Sequence, residues 1–364
     1  MKLKLSKDVV LEALQKIQSV VSVRTTLPIL QNILLKADKE KVWLSATDLE
    51  VSVRTGVPAE VVKPGATTLP ARRIFSIFKE LPANEIEIEV NDKDTAKISC
   101  GSANFEIIGI SEDEFPPLPK FDGGRSYSIE QNVFKIMLQS TSYAASTDES
   151  RYILNGVLLS FKGDKLAVVA TDGRRMALYE QEVEFPKGSE GDMVLPFKTV
   201  DELLKTLKSE GTVKIQATEN QVAFEFDDML IVSKLIEGTY PNFRQVIPPQ
   251  SEQRIAVERE GLLTALRRVS LIANDKSNSV KLTFGKNKLE ISATSQEVGS
   301  AREDLDIKYT GKQFSIAFNP VFLMDPLRTL PKDEVFLELT DDLSPGVVKS
   351  DVPFLYVLMP MRTS

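Results

Sequence analysis

The sequence predicts an α+β chain of three similar domains, each with two helices and largely antiparallel sheets. A short motif recurs at nearly equal spacing, and two amphipathic helical segments hold the same place in every repeat among many short strands. The central copy of the motif is Val168-Val169-Ala170-Thr171-Asp172-Gly173-Arg174-Arg175-Met176. Upstream stands Leu44-Ser45-Ala46-Thr47-Asp48-Leu49-Glu50-Val51, and downstream Ile291-Ser292-Ala293-Thr294-Ser295-Gln296-Glu297-Val298. Thr47, Thr171 and Thr294 are 124 and 123 residues apart in a chain of 364.

Other landmarks keep the same order. A helical pattern precedes each motif at Val9 to Val21, Val133 to Tyr143 and Leu262 to Ala273. In the first, Val10, Ala13, Leu14, Ile17, Val20 and Val21 fall on one face at helical spacing. A second helix follows each motif at Ala71 to Leu81, Val200 to Leu207 and Val321 to Leu330. Leu69-Pro70, Leu195-Pro196 and Asn319-Pro320 mark their starts, where proline costs no hydrogen bond. Each repeat closes on an aromatic or Met beside proline: Phe115-Pro116, Tyr240-Pro241 and Met359-Pro360. The expected domains are 1–121, 122–249 and 250–364, joined by the Pro-rich stretches Phe115 to Pro119 and Pro248 to Ser251.

Alternating runs give the strands. The first repeat has Ile33 to Ala37, Val42 to Ala46, Val51 to Thr55, Val57 to Val62, Ile86 to Val90, Ala96 to Cys100 and Phe105 to Ile110. The second has Leu154 to Phe161, Lys165 to Ala170, Met176 to Phe185, Val213 to Ala217, Val222 to Phe226 and Met229 to Leu235. The third has Val280 to Phe284, Lys288 to Ala293, Phe314 to Phe318, Val335 to Leu339 and Phe354 to Met359.

Composition narrows the chemistry. The absence of histidine removes Ser-His-Asp and Cys-His catalysis and His-containing zinc sites. Neither a phosphate-cradling Gly-x-x-x-x-Gly-Lys-Ser/Thr nor a Gly-x-Gly-x-x-Gly occurs. A single cysteine, Cys100, precludes an intrachain disulfide. Met1 to Lys7 reads as a strand and helix start without a signal peptide's apolar core, and no apolar run approaches membrane-spanning length, so a cytosolic location is expected. Three carboxylate pairs, Asp113 and Glu114, Asp227 and Asp228, and Asp341 and Asp342, could hold Mg²⁺ in a nucleic-acid enzyme. Polar turns between strands are the favoured reading of them. The formal charge of −7 argues against a general polyanion binder. Yet the expected helices carry Arg72, Arg73, Lys79, Lys135, Lys198, Lys205, Lys208, Arg267, Arg268 and Arg328. Ordinary solvated helix faces in a purely structural oligomer would account for these cations too.

Several motifs together resemble the bacterial sliding clamp family, the β subunit of DNA polymerase III, over the whole chain. They are Arg24 to Leu30, Pro64 to Thr68, Pro70-Ala71-Arg72, Arg151-Tyr152, Leu154-Asn155-Gly156, Ala170 to Gly173 and Tyr356 to Arg362. The resemblance implies a DNA clamp fold, assembled as a head-to-tail homodimeric ring of six domains with helices lining the hole. It implies a non-enzymatic processivity factor without cofactor or metal, acting in the nucleoid-associated cytoplasm. Implied partners are double-stranded DNA, the replicative polymerase subunit, an ATP-dependent clamp loader, and other polymerases and repair proteins bearing short linear motifs.

The same resemblance implies roles for individual residues. For DNA these are Arg24, Arg72, Arg73, Arg151, Tyr152 and Lys198. The partner-peptide pocket would use Leu154, Thr171, Gly173, Arg174, Arg175, Met176, Pro241, Val246, Leu343, Val357, Met359, Pro360, Met361 and Arg362. At the dimer joint Ile77, Leu81, Phe105 and Ile107 would meet Leu271 and Ile272 of a second copy. The chain departs from some relatives at Phe197, where they carry a basic residue, and at Ile153, where they carry tyrosine. Gln245 replaces an arginine, and Pro345 a serine, at the pocket's polar rim.

Overall fold

The structure, a computed structural model, describes the chain except residues 23–24, 83, 120, 122–123, 250–253, 274–278 and 363–364. It forms two compact units. The first comprises Met1–Lys135, Phe185–Ser189 and Lys198–Leu235; the second comprises Ile136–Glu184, Glu190–Phe197 and Ile236–Ser364. The central repeat therefore contributes to both. Among the described residues the helices are α1 (Lys7–Ile17), α2 (Ala71–Glu80), α3 (Gln131–Thr141), α4 (Phe197–Thr206), α5 (Arg259–Val269) and α6 (Pro320–Thr329). None is long and apolar enough to cross a membrane.

Local chemistry explains the helix ends. Asn319 caps α6 by accepting from the Val321 and Phe322 amides, with Pro320 in the first turn. Glu258 caps α5, accepting from the amides of Glu260 and Gly261. Helix α1 buries Val10, Ala13, Leu14 and Ile17, the face expected from their spacing. Val20 and Val21 are also buried, but in the turn that follows the helix. Pro326 inside α6 cannot donate to the Phe322 carbonyl; the Tyr356 hydroxyl does so instead at 2.8 Å.

All sheet pairing among the named strands is antiparallel. In the first unit, Glu60–Lys63, Lys2–Ser6, Glu85–Val90, Thr95–Cys100 and Ala103–Ile108 make a five-stranded sheet in that order. An eight-stranded sheet runs Arg125–Glu130, Thr212–Ala217, Gln221–Phe226, Met229–Lys234, Val51–Pro58, Lys41–Thr47, Asn32–Asp38 and Gly65–Pro70. The second unit has an eight-stranded sheet ordered Gly191–Pro196, Gly156–Lys162, Lys165–Thr171, Arg175–Glu182, Phe354–Leu358, Gly346–Lys349, Glu334–Glu338 and Arg254–Glu258. Its four-stranded sheet runs Gly299–Asp306, Lys288–Ser295, Val280–Gly285 and Phe314–Phe318.

Each eight-stranded sheet is two repeats joined by one ladder. Met229–Lys234, the last strand of the central repeat, pairs with Val51–Pro58 of the first. Phe354–Leu358, the last strand of the third, pairs with Arg175–Glu182 of the central repeat. The same rule is used twice: the last strand of one repeat joins the strand that follows the Ala-Thr motif of the repeat before it.

Some sequence expectations need correction. Strands at Gly65–Pro70, Arg125–Glu130, Gly191–Pro196, Arg254–Glu258, Gly299–Asp306 and Gly346–Lys349 were not expected. Charged residues or terminal Gly and Pro break their alternation; in Gly299–Asp306 the charges are satisfied laterally, Arg302 by Glu290 and Asp304 by Lys288, both at 2.8 Å. The run from Leu154 begins as strand only at Gly156, because Glu149–Asn155 forms 3₁₀ turns. Valines 51 to 57 lie in one strand, Val51–Pro58. The third copy of the motif is also shifted by one residue. Thr47 and Thr171 accept from the amides of Leu49 and Gly173, both at 3.1 Å, whereas Ser295, not the exposed Thr294, accepts from Glu297. A one-residue offset on a strand reverses the face, which is why Thr294 points away.

Candidate functional site

Of the expected pocket residues, Thr171, Met176 and Val357 lie on one face of the second unit's large sheet. Directly paired residues of antiparallel strands share a face. Thr171 pairs with Met176, Met176 with Val357, and Leu178 with Leu355. Leu158, Ala167, Val169, Met176, Leu178, Val194 and Val357 form one buried apolar cluster there. The segment from Ile236 to Ile247 lies against it through Ile236, Tyr240, Phe243 and Ile247, joined by Ile153. Asn242 starts the 3₁₀ turn Phe243–Val246 by accepting from the Arg244 amide. Pro241 and Val246 are left exposed on this segment.

The Ala-Thr-Asp turn builds the adjoining wall. The Thr171 hydroxyl donates to the Arg175 carbonyl at 2.6 Å, and Asp172 Oδ1 accepts from the amides of Arg174 and Arg175 at 2.8 and 3.1 Å. Gly173 takes φ +85°, a conformation glycine adopts without strain. A side chain there would place Cβ 3.1 Å from Arg151 Nη1. Thr47 and Asp48 make the same set of bonds in the first repeat, with Leu49 at φ 76°.

The C-terminal residues adjoin the motif turn. The Met359 amide donates to the Arg174 carbonyl at 2.9 Å, and the Met361 amide to Ala317 at 2.8 Å. Leu343, Met361 and Arg362 line a hollow of about 420 Å³. Leu343 is 69% exposed and Met359 46%. Pro360 is half-buried, and Leu154 is buried, its carbonyl accepting from the Ser146 amide.

Arg175 has a different place from the other pocket candidates. Its guanidinium binds Asp172 at 3.0 Å, Asp325 at 2.5 Å and the Tyr143 carbonyl at 2.6 Å, and lies 4.1 Å from the Phe322 ring centroid. Burial opposes its charge, yet Tyr356 and Asp325 outweigh that and raise its pKa. Arg175 therefore ties the motif turn to α6, while Arg174 faces solvent. Burial also raises the phenols of Tyr240 and Tyr356 well above their usual range.

The expected DNA contacts divide between the units. In the first, Arg72 and Arg73 are exposed in the first turn of α2 and make no ion pair among the described residues. Lys198 is paired with Asp48. Arg24 lies outside the described residues. In the second unit, Arg151 donates to the Asp172 carbonyl at 3.2 Å, and Tyr152 is 59% exposed beside it. The helix cations Lys205, Arg268 and Arg328 are paired with Asp201, Glu303 and Asp325, and Lys208, just past α4, with Asp227. Of the carboxylate pairs, Asp227 and Asp228 bind Lys208 and Lys41, while Asp341 holds a turn through the Leu343 and Ser344 amides.

The expected joint residues lie on one edge strand, on α2 and its C-terminal end, and in the turn after α5. Phe105 and Ile107 lie on the outermost strand of the five-stranded sheet, opposite Ile98 and Ala96. Ile77 is half-buried, but Leu81 is already buried within its own unit. Leu271 is 80% exposed after α5, with Ile272 half-buried next to it. Sequence reasoning missed Ile108, 78% exposed at the end of the same edge strand. It also missed Tyr240, Phe243 and Ile247, whose only signal was the proline-rich segment that holds them.

Family models described as the N-terminal, central and C-terminal domains of the DNA polymerase III beta subunit match residues 1–119, 128–242 and 244–362. The beta sliding clamp of Chlamydia pneumoniae is 35% identical over 362 residues, covering 100% of this chain and 99% of its own. That of Bacillus subtilis is 32% identical, with both chains covered in full. Among solved structures, the Bacillus subtilis sliding clamp superposes with a TM-score of 0.95 at 31% identity. A Bartonella birtlesii clamp bound to griselimycin does so with 0.94 at 32%, both again over 100% of each chain. With three successive domain matches and full-length relatives, the chain belongs to the DNA polymerase III beta subunit family, the bacterial sliding clamps.

Proposed function

We propose that two copies of this chain close head to tail into a ring around duplex DNA and, without catalysing a reaction, tether the replicative polymerase through the pocket above. One observation carries the ring: the strand-pairing rule used twice within the chain leaves two strands unspent. The last strand of the first repeat, Ala103–Ile108, and the strand after the third motif, Gly299–Asp306, each end a sheet with one open edge. The rule that pairs Met229–Lys234 with Val51–Pro58 would pair these two across copies. Such a heterologous contact closes into a ring or propagates into a filament, and a full-length clamp family favours closure. The exposed Phe105, Ile108 and Leu271 then gain cover.

Arg72 and Arg73, with Arg24, Arg151, Tyr152 and the partly neutralised Lys198, are the proposed DNA contacts. A sliding protein needs phosphate contacts rather than base readout, which suits Arg72 and Arg73, exposed and without an ion pair among the described residues. Opening the ring falls to a separate ATP-driven loader. Polymerases and repair proteins would compete for the apolar pocket, where Met176, Met359 and Met361 adapt to different side chains. Its rim lacks the arginine and serine of some relatives, Gln245 and Pro345 standing there.

The test is loading onto nicked circular DNA with loader and ATP, followed by gel filtration after part of the sample is linearised. Retention on circles with loss from linear ends is expected; equal retention on both means ordinary surface binding and ends the clamp reading. Sedimentation of Leu271→Ala should show more monomer at low concentration than the native chain. An unchanged dimer removes Leu271 from the joint.

A further inference from the structure

The apolar face that floors the pocket does not stop at Met176 and Val357. Two residues further along each strand, about 7 Å away, it continues through the Leu178–Leu355 pair. Across the sheet Leu355 pairs with Lys349, and Lys349 with Phe336, so these share the face. The Arg254 guanidinium lies 3.7 Å from the Phe336 ring centroid. A groove of about 380 Å³ opens here, with Leu178, Ile247 and Leu355 along it. Leu178 belongs to the pocket's buried cluster, and Ile247 and Leu355 pack against that cluster, so the groove is walled by the same apolar cluster that floors the pocket.

Charge distinguishes the groove from the pocket. Its lining holds three cations, Arg244, Arg254 and Lys349, against one carboxylate, Glu180, on a chain whose net charge is −7. Arg244 pairs with Glu180 at 2.6 Å, its side chain 61% exposed. Lys349 pairs with the buried Glu338 at 2.8 Å. Arg254 makes no ion pair among the described residues, its guanidinium held over an aromatic face and its charge open to solvent.

We propose that this groove takes the acidic flank of the same partner segment whose apolar residues fill the pocket. The proposal rests on the pocket reading above and extends it. It assigns Arg254 and Arg244 a part in selecting partners: an apolar motif flanked by aspartate or glutamate is preferred to one flanked by neutral or basic residues. Exposed charge pairs contribute little each, so two of them give a gain of roughly fivefold in affinity, reduced by salt.

Fluorescein-labelled peptides with one apolar half (Leu-Ala-Leu-Phe) and one half of glutamates, serines or lysines, made in both orders, test it by anisotropy against the full chain. In one order the glutamate peptide should bind about fivefold tighter than the serine peptide at low salt, and the lysine peptide weaker than either. Arg254→Gln and Arg244→Gln should abolish that gain while leaving the serine peptide's affinity unchanged, which also shows that the variants are folded. Equal binding of glutamate and serine peptides, or a gain that survives both substitutions, overturns the groove and leaves the pocket standing. Failure of the serine peptide to bind overturns both.

Discussion

Arg175→Met is the substitution most informative about how the motif turn is held. Native Arg175 has a side chain only 9% exposed and binds Asp172 and Asp325, themselves 16% and 14% exposed. Removing one partner of a buried ion pair costs about 3–5 kcal/mol, because a charge is left without compensation. Here neither carboxylate is left wholly alone. Asp172 keeps the Arg174 and Arg175 amides, and Asp325 keeps Arg328 at 2.9 Å. Methionine also retains part of the packing over Phe322. The loss should therefore fall at the lower end, about 3 kcal/mol. Lysine keeps the charge but not the planar fork that reaches Asp172, Asp325 and the Tyr143 carbonyl together, and should lose about half as much.

The chain has several cooperative parts, so one denaturation midpoint is a poor measure. Native-state hydrogen exchange of the Arg175–Glu182 and Phe354–Leu358 ladder reads the right place. Arg175→Met should lower its opening free energy by about 3 kcal/mol, and adding Asp325→Asn should recover part of the loss by removing the orphaned charge. If Arg175→Met stays within about 0.5 kcal/mol of the native chain, or Asp325→Asn gives no recovery, the ion cluster is not what fixes the turn.

Gly173→Ala should cost about 1 kcal/mol, through a positive φ and a Cβ placed 3.1 Å from Arg151 Nη1, whereas Leu49→Gly at the equivalent turn should be neutral or slightly stabilising; thermal melts of both check this. Val246→Asp and Leu343→Asp should leave stability unchanged, since both side chains are exposed, yet weaken anisotropy-measured binding of the serine-flanked apolar peptide at least tenfold. Burial raises the phenols of Tyr143, Tyr240 and Tyr356 above the unfolded value near 10. The folded state then holds more protons than the unfolded state above that pH, so their contribution is complete below pH 10 and is lost as pH rises beyond it. The tyrosinate absorbance contributed by these three, read as the part lost on their substitution by Phe, should consequently appear together with loss of far-ultraviolet circular dichroism; their ionisation with the fold intact would contradict their burial.

The parts of this molecule that the sequence disclosed are those in which one segment answers to its own periodicity. Helices α1 to α6 were legible because each buries a stripe at three- and four-residue spacing; α2 begins where expected, at Ala71, and the other five begin one to three residues before their expected starts. Strands with one wet face were legible for the same reason. What stayed hidden depends on partners distant in the chain. Gly299–Asp306 reads as a polar loop because Arg302 and Asp304 are balanced by Glu290 and Lys288 on a neighbouring strand, information absent from its own eight residues. Arg175 reads as one more exposed cation beside Arg174; only Asp325, one hundred and fifty positions away, makes it a buried tie. The pocket shows both sides of this. Thr171, Met176 and Val357 were reachable through resemblance to a known family, whereas Tyr240, Phe243 and Ile247 enter because a proline-bounded segment folds back over the sheet. A local pattern reveals which residues can be buried, and long-range pairing decides which of them meet; the joint proposed between Ala103–Ile108 and Gly299–Asp306 of two copies is that second kind of information carried one step beyond the single chain.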